Sequence, residues 1–404
     1  MMNLRLHLFH TRVTLQVMPP TNRLDVAADE LARRLDHGES IQLLDVRSAD
    51  RIAEGRVTLG TGLEFHAASA HDIAGASSVA TLGVDARRPV LVMCGHGNSS
   101  ARIAAFLREQ GIEARSVAGG MAAWDAVYVP RPLTPTRTIE RIVQLDRVGK
   151  GSLSYVLVSD GDAVIVDPGR HLEPYESVLR ELGATAAAVI DTHMHADYLS
   201  GARAAAERWG VPYFLHPEDA RSPYDGTPGR LTYQPLTAGD AIAFGRAALR
   251  VVHVPGHTLG SVALIVDDGM ALTGDFLFVR SVGRPDLGGR GREWAELLWG
   301  SLERVRKEWP RDLLVLPAHY ADEGERRADR TVAARLDVIL ATNRAALMTP
   351  EAAFLRWVAE HEAVAPASYH TMKLANLGLA DLGEAEREVA ESGANRCAVE
   401  SLPG

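Results

Sequence analysis

The chain has 404 residues, more than a single hydrophobic core usually supports, so at least two domains are expected. An apolar fraction of 46% and a charged fraction of 24% are typical of a globular protein, and a net charge of −9 argues against binding to nucleic acid or to an anionic membrane surface. The two cysteines, Cys94 and Cys397, cannot form a disulfide framework, which favours a reducing compartment such as the cytoplasm.

The first third of the chain alternates between helix-like and strand-like segments. Residues 1–21 contain no continuous apolar run and are expected to be a tail, neither a signal peptide nor a membrane span. Helical spacing at 24–35 and 101–110 alternates with apolar strands at 41–46 and 89–93, which predicts an α/β domain with a largely parallel sheet over residues 22–128. Pro130, Pro132 and Pro135 then predict a semi-rigid linker over 129–138.

Residues 139–404 have more strand-like runs, separated by helices, and no internal repeat. This pattern predicts two packed sheets with helices outside and a helical extension after residue 331. Strands are expected at 154–158, 163–166, 186–190, 213–215, 249–254, 262–266 and 313–316, and helices at 175–182, 202–209, 294–309, 332–347 and 350–362.

A cluster of metal-binding residue types follows one predicted strand. The segment DTHMHADYLSG (191–201) comes directly after the apolar run AAAVI and places His193, His195 and Asp197 at alternate positions. Neutral imidazole and carboxylate are the usual ligands of iron, zinc and manganese. A lone loop histidine would more often be a hydrogen-bonding surface residue, but this pattern after a buried strand favours a metal site.

Two later segments strengthen this prediction. His257 follows a strand and a Pro-Gly turn in VVHVPGHTLGS, and Asp275 follows another strand in ALTGDFLF. Taken singly, they could be a loop histidine with hydrogen-bond partners and a helix-capping aspartate. In this order after His193, they are interpreted as ligands of the same metal.

These motifs together resemble those of the metallo-β-lactamase superfamily. The matching marks are VDPG at Asp167, THMHAD at His193, PGHT at His257, TGD at Asp275 and PAH at His319, and they cover about residues 139–320. The resemblance implies an αββα sandwich with the metal at one edge of the two sheets.

Within that superfamily, Tyr198 argues for one metal rather than two. Hydrolases of the superfamily usually have histidine at this position, and a neutral phenol is a poor replacement for imidazole at a divalent cation. A second metal would have to rely on Asp197, His319 and a bridging Asp275.

The chain is similar to the persulfide dioxygenase branch, which is related to glyoxalase II. This resemblance implies one Fe(II) per chain, held by His193, His257 and Asp275 with positions left open for oxygen and substrate. The segment VRSVGRPDLGG (279–289) also matches that branch, and its Arg284 is a candidate for binding substrate, with a structural salt bridge as the alternative.

The resemblance also implies supporting roles for three further residues of the motifs. His195, Asp197 and His319 would orient a ligand or a bound water, although His319 could also approach an outer metal. The branch commonly reads PAHDY, whereas this chain reads PAHYAD with Tyr320 directly after His319.

The implied reaction is the oxidation by O2 of a low-molecular-weight thiol persulfide, such as glutathione persulfide, to sulfite and the free thiol. Iron is required because zinc has no redox chemistry. The competing interpretation is a zinc-dependent thioester hydrolase of the glyoxalase II type. No nucleic-acid or membrane partner is expected, and a homodimer is left open.

The segment MCGHGNSSAR places Cys94 between a strand and a helix, where backbone amides and the helix N-terminus favour a thiolate. LLDVR (43–47), this loop and AGGMAAW (118–124) resemble the rhodanese family over about residues 24–128. The resemblance implies sulfur transfer through Cys94. The combination of the two domains suggests the hypothesis that sulfite formed at the iron accepts this sulfur to give thiosulfate. Ser99 stands where catalytic members often have arginine, so a non-catalytic docking role is the alternative. Cys397 is assigned no chemistry.

Overall fold

The computed structural model describes residues 24–69, 72–73, 82–362 and 364–399, so the expected tail over 1–21 lies outside the described residues. The first part of the chain forms a sheet of five strands in the order β1-β5-β4-β2-β3, and all its strand pairs are parallel. Its strands are β1 (Asp25–Val26), β2 (Ile41–Asp45), β3 (Leu63–Ala67), β4 (Val90–Met93) and β5 (Ala114–Val117). The helices described beside it are α1 (Ala28–Asp36), α2 (Ala49–Glu54), α3 (Asn98–Glu109) and α4 (Gly120–Trp124). The predicted parallel α/β arrangement is confirmed.

The rest of the chain forms two packed sheets. The first has seven strands in the order β12-β11-β10-β9-β8-β7-β6 and the second has six in the order β13 to β18. The strands of the first are β6 (Tyr128–Leu133), β7 (Arg141–Arg147), β8 (Ser152–Ser159), β9 (Asp162–Val166), β10 (Thr185–Ile190), β11 (Tyr213–Leu215) and β12 (Gln234–Pro235). Those of the second are β13 (Ala241–Phe244), β14 (Ala247–His253), β15 (Val262–Val266), β16 (Met270–Gly274), β17 (Leu314–Pro317) and β18 (Ala334–Arg335).

Helices cover the outer faces of both sheets. They are α5 (Glu173–Leu182), α6 (Ala202–Trp209), α7 (Gly291–Glu308), α8 (Leu336–Thr342), α9 (Arg344–Leu347), α10 (Glu351–Glu360), α11 (Ala367–Asn376) and α12 (Glu384–Glu391). The main core lies between the sheets, where Leu157 and Val164 of one pack in the same cluster as Leu249 and Leu264 of the other. This is the αββα arrangement expected from the motifs. None of the helices in the described ranges is long and apolar enough to cross a bilayer.

The proline-rich segment 129–138 is not the linker that the sequence predicted. Its first part is strand β6, which pairs antiparallel with β7 through Pro130 opposite Leu145 and Pro132 opposite Val143. A proline cannot donate to a ladder, but β6 is an edge strand, where this deficit is tolerated. Strand β6, which follows residue 127, thus belongs to the seven-stranded sheet. The predicted domain boundaries at residues 128 and 139 stay a prediction.

Charged side chains join the two parts of the chain beside this strand. The buried guanidinium of Arg131 contacts Asp36, at the end of α1, at 2.9 Å and Asp146, at the end of β7, also at 2.9 Å. Arg330 contacts the same Asp36 at 3.1 Å. Because a buried charge is costly without its partner, these pairs favour one relative placement of the two parts.

The predicted metal-site residues lie together at one edge of the two sheets, because each of them follows the end of a strand. His257 follows β14, Asp275 follows β16 and His319 follows β17, three strands that run in the same direction, while His193 follows β10 of the other sheet. Gly274 has a φ of +53°, and a Cβ there would lie 2.4 Å from Thr192 Oγ1. Only glycine therefore allows β16 to approach the segment that carries His193 so closely.

Candidate metal centre

Two imidazoles and one carboxylate converge at this edge and form what we call the inner group, His193, His257 and Asp275. Asp275 Oδ2 lies 3.7 Å from His193 Nε2 and 3.5 Å from His257 Nε2. All three side chains are buried. The structure thus brings together the three residues that the sequence predicted as ligands of one metal.

Hydrogen bonds orient both imidazoles toward the centre of the inner group. His257 Nδ1 donates to the carbonyl oxygen of Arg284 at 2.9 Å, which leaves Nε2 without a proton in the neutral ring. His193 Nδ1 lies 3.0 Å from Thr192 Oγ1, whose own proton goes to Asp167 at 2.8 Å. His193 Nδ1 must therefore donate to Thr192, and its Nε2 also keeps a free lone pair.

The inner group has the features of a set of metal ligands. His193 Nε2 and Asp275 Oδ2 are buried and have no hydrogen-bond partner among the described residues. Burial, together with the neighbouring His195 and the other imidazoles, holds the pKa of His193 well below its usual value, and burial also lowers the pKa of His257. Neutral imidazoles and a carboxylate, with unpartnered atoms facing one point, fit a divalent transition metal.

His195 is bound through its Nε2 by residues outside the inner group, whereas its Nδ1 has no hydrogen-bond partner among the described residues, and its supporting role stays a prediction. Its Nε2 lies 3.2 Å from Asp167 Oδ1, 3.6 Å from Asp191 Oδ1 and 3.0 Å from the hydroxyl of Tyr198. Burial alone would lower the pKa of His195, but the hydrogen bonds to Asp167 and Asp191 raise it well above its usual value. The two aspartates were not singled out as partners of His195 in the sequence, although Asp167 lies in the matched VDPG motif.

A second cluster, the outer group, consists of Asp197, His319 and Cys397. His319 lies between two carboxylates, with Nε2 2.9 Å from Asp197 Oδ2 and Nδ1 2.6 Å from Asp275 Oδ1. Burial opposes the charge on this ring, but Asp275 and Asp197 raise the pKa of His319 to about 10. Burial and the same two carboxylates raise the pKa of the Cys397 thiol well above its usual value. No signal near Cys397 in the sequence could have placed it here, because its position depends on how the C-terminal segment packs.

Arg284 combines a structural contact with a position beside the inner group. Its buried side chain forms an ion pair with Asp286, with Nε 2.6 Å from Asp286 Oδ1, and its carbonyl oxygen orients His257. The salt bridge that the sequence left open is therefore present. A role in binding substrate stays a prediction.

Cys94 lies at the end of β4, where the following loop and α3 surround its sulfur. The amide of Gly97 donates to Sγ at 3.1 Å, and Ser100 Oγ lies 3.2 Å from it. Burial opposes ionisation, but the hydrogen bonds from Ser100, His96 and Gly97 lower the pKa of Cys94. This is the amide cradle expected for a reactive thiolate. Ser99 is exposed and supplies no positive charge.

Family models match both parts of the chain: "Rhodanese-like domain" over residues 27–127 and "Metallo-beta-lactamase superfamily" over residues 147–342. The chain therefore belongs to the metallo-β-lactamase superfamily and has a rhodanese-like domain in front of that fold. A metallo-β-lactamase structure from Staphylococcus aureus subsp. aureus COL is 27% identical, with a TM-score of 0.50, and the match covers 58% of this chain and 71% of that one.

Two relatives with named activities are similar to part of the chain. The human mitochondrial persulfide dioxygenase ETHE1 is 33% identical over 160 residues, and the hydroxyacylglutathione hydrolase of Anaeromyxobacter dehalogenans is 35% identical over 162 residues. Each match covers 39% of this chain and 59% of the relative. One similarity is to an oxidising enzyme and the other to a hydrolase, so the two relatives by themselves do not choose between these reactions.

Proposed function

We propose that the metallo-β-lactamase fold of this protein oxidises low-molecular-weight thiol persulfides with O2, using one Fe(II) held by the inner group. The observation that carries the proposal is the composition of that group, two imidazoles and one carboxylate, while the Nε2 of His195 contacts Asp167 and Asp191. Two histidines and one carboxylate are the ligand set of many non-haem iron oxygenases, because it leaves neighbouring coordination positions open. The similarity to a persulfide dioxygenase supports the same choice.

The overall reaction is RSSH + O2 + H2O giving RSH, sulfite and two protons. Iron at the inner group would supply the redox chemistry that activates O2. The protein holds His193 and His257 with their Nε2 atoms free, through Thr192 and the Arg284 carbonyl. Burial of the inner group excludes bulk water and thereby strengthens the interaction of Asp275 with a bound cation.

Oxygen uptake with glutathione persulfide tests this function. We expect iron-loaded protein to consume O2 and to release sulfite and glutathione. His257→Ala should lower the rate on the order of 100-fold or more, since even the loss of a group that only orients a ligand costs about 10–100-fold.

His253→Ala is the matched control for this variant. His253 lies in the same segment, but it stacks on His216 at 4.5 Å and its Nε2 contacts the Leu259 carbonyl at 2.8 Å. The control should keep most of the activity. Equal activity of His257→Ala and wild type would contradict the assignment.

For the rhodanese-like domain, we propose that Cys94 transfers sulfane sulfur to sulfite. The sulfur–sulfur bond of the persulfide breaks as a new one forms to sulfite, so that RSSH and sulfite give RSH and thiosulfate. The lowered pKa of Cys94 and the amide of Gly97 on its sulfur support this role.

Replacement of Cys94 by serine should reduce thiosulfate formation from glutathione persulfide and sulfite to the rate without protein, because serine is not a comparable nucleophile for sulfur. Thiosulfate can be measured by chromatography in the absence of O2. Ser99→Ala, a change at the exposed neighbour, is the control. Unchanged thiosulfate output from Cys94→Ser would favour the docking role instead.

A zinc-dependent thioester hydrolase is the second candidate, and the similarity to a hydroxyacylglutathione hydrolase favours it. A metal-bound hydroxide would then attack the acyl carbon of a thioester. Metal analysis of protein purified without added metal separates the two: iron supports the oxidase, whereas zinc with thioesterase turnover supports the hydrolase.

A further inference from the structure

A buried lysine of the C-terminal helices lies beside the inner group. Lys373 of α11 is 1% exposed, and its ammonium lies over Trp294 of α7, 5.8 Å from the ring centroid. Among the described residues, none accepts a hydrogen bond from this ammonium or forms a close ion pair with it. A buried charge without a close counter-charge is costly, and a bound anion would remove this cost.

The carboxylates that act on this ammonium have other hydrogen-bond donors. Burial lowers the pKa of Lys373 to about 8, and the charges of Asp219 and Asp286 oppose this shift. Asp219 accepts from backbone amides of two loops at 2.7 and 2.8 Å, and Asp286 pairs with Arg284, whose Nε lies 2.6 Å from its Oδ1. The ammonium is therefore largely protonated at neutral pH and can donate to a bound ligand.

One face of α11 determines where this ammonium lies. Tyr369, Lys373 and Asn376 have the helical spacing that places side chains on one face. The hydroxyl of Tyr369 accepts from an amide of the C-terminal segment at 2.6 Å. Asn376 Nδ2 donates at 3.0 Å to the carbonyl oxygen of His195, in the loop that carries His193. Lys373 therefore lies between the C-terminal segment and the loop of the inner group.

The charge of Lys373 acts on both imidazoles of the inner group. Burial is the main cause of the lowered pKa of His193 and of His257, and the ammonium of Lys373 lowers both further. Asp275 offsets one charge of a divalent metal at this site, and Lys373 adds a further positive charge. The centre is thus suited to an anion, and both the ionised persulfide RSS⁻ and sulfite are anions.

We propose that Lys373 binds the anionic sulfur group of the substrate, and the product sulfite, at the inner group. The ammonium donates to the terminal sulfur of RSS⁻ or to a sulfite oxygen, in a charge-assisted hydrogen bond that an apolar side chain cannot replace. Trp294 covers one side of the ammonium and stabilises its charge through the ring face. The identity of the anion rests on the proposed function, whereas its binding requires no activation of O2.

Sulfite binding to the zinc-loaded protein tests this role without turnover, because zinc has no redox chemistry. In isothermal titration calorimetry, full-length Lys373→Met should bind sulfite with a Kd at least about 10-fold weaker than wild type, since a hydrogen bond to a charged group is lost. Lys307→Met is the matched control, because Lys307 Nζ contacts Glu303 at 2.7 Å and its side chain is 71% exposed. The control should bind sulfite as wild type does.

Urea unfolding of the metal-free variants separates a role in binding from a role in folding. Methionine is similar to lysine in length and carries no charge, so Lys373→Met should have a free energy of unfolding at least equal to that of wild type. Weaker sulfite binding combined with a lower free energy of unfolding would indicate a structural role and overturn the proposal.

A titration with S-methylglutathione shows which end of the substrate the ammonium binds. This ligand has the carboxylates of glutathione but no ionisable sulfur, so Lys373→Met should bind it as wild type does. Unchanged sulfite affinity in Lys373→Met, or no sulfite binding to wild type, would contradict the proposal. Weaker binding of S-methylglutathione alone would assign Lys373 to a carboxylate of the thiol instead. Since none of these titrations measures oxygen uptake, failure of this role is distinguishable from failure of the proposed oxidation.

Discussion

Asp275→Ala is expected to abolish iron retention at the inner group. Asp275 is the only carboxylate in that group, and its Oδ2 lies 3.5–3.7 Å from both imidazole nitrogens. Without it, two neutral histidines remain, and neither supplies a negative charge to a divalent cation. Because losing a partner of a ligand already weakens binding by about 10–100-fold, loss of the ligand itself should cost at least that much.

Anaerobic Fe(II) titration against a competing chelator measures this loss directly. Asp268→Ala is the matched control, since Asp268 lies in the turn before the same strand and its side chain is 82% exposed. The control should bind iron as wild type does. Wild-type iron affinity in Asp275→Ala would show that the metal is held elsewhere.

Among the substitutions proposed for this protein, Glu391→Ala is expected to cause the largest decrease in the free energy of unfolding. Glu391 is 2% exposed, and its carboxylate contacts Arg147 at 3.1 Å and Arg170 at 2.6 Å and accepts from the amide of Leu199 at 2.9 Å. Its removal leaves the buried guanidinium of Arg147 without this partner. Breaking a buried pair in this way costs about 3–5 kcal/mol.

Urea unfolding of the metal-free protein tests the prediction, with Glu388→Ala as the control. Glu388 is on the same helix, its side chain is 43% exposed, and its carboxylate lies 3.9 Å from His96 Nε2. The control should change the free energy of unfolding by about 0.5 kcal/mol or less. Equal free energies of unfolding for Glu391→Ala and Glu388→Ala would contradict the claim that the buried ion pair of Glu391 stabilises the fold.

The pKa of the Glu391 carboxylate predicts how the free energy of unfolding changes with pH. Burial opposes its ionisation, but Arg147 and Arg170 lower the pKa of Glu391 to about 2. The pKa of Glu391 is lower in the folded state than in the unfolded state. The ionised carboxylate therefore makes its full contribution to the free energy of unfolding above about pH 4.3, and this contribution is lost as the pH falls toward the folded-state pKa. Glu391→Ala should therefore lose part of the acid dependence of unfolding that wild type shows in this range.

The positions of the inner-group residues could be predicted from the sequence because each follows a predicted strand within a short motif, whereas their selection over His195 came from the resemblance to the persulfide dioxygenase branch. His193, His257 and Asp275 are each placed by a local strand end, and parallel or equally directed strands end at the same edge. Local patterns suffice to predict that such residues lie at the same edge. The edges of most predicted strands and helices are likewise within a few residues of those in the structure.

Other features depend on contacts that no local pattern encodes. The prolines of β6 resemble a linker in sequence, and only the position of that strand at the sheet edge makes them compatible with pairing. Strand β7 was not predicted, because polar Arg141, Gln144 and Asp146 interrupt its apolar pattern. Cys397 reaches the outer group through the packing of the C-terminal segment, which forms backbone hydrogen bonds with Arg284 and Val282.

The most direct test of the central claim compares the same protein loaded anaerobically with Fe(II) or with Zn(II). After glutathione persulfide and O2 are added, the iron form should consume oxygen and release sulfite in equal amounts, while the zinc form should do neither. Thioester hydrolysis by the zinc form, combined with no oxygen uptake by protein that has retained its iron, would contradict the account.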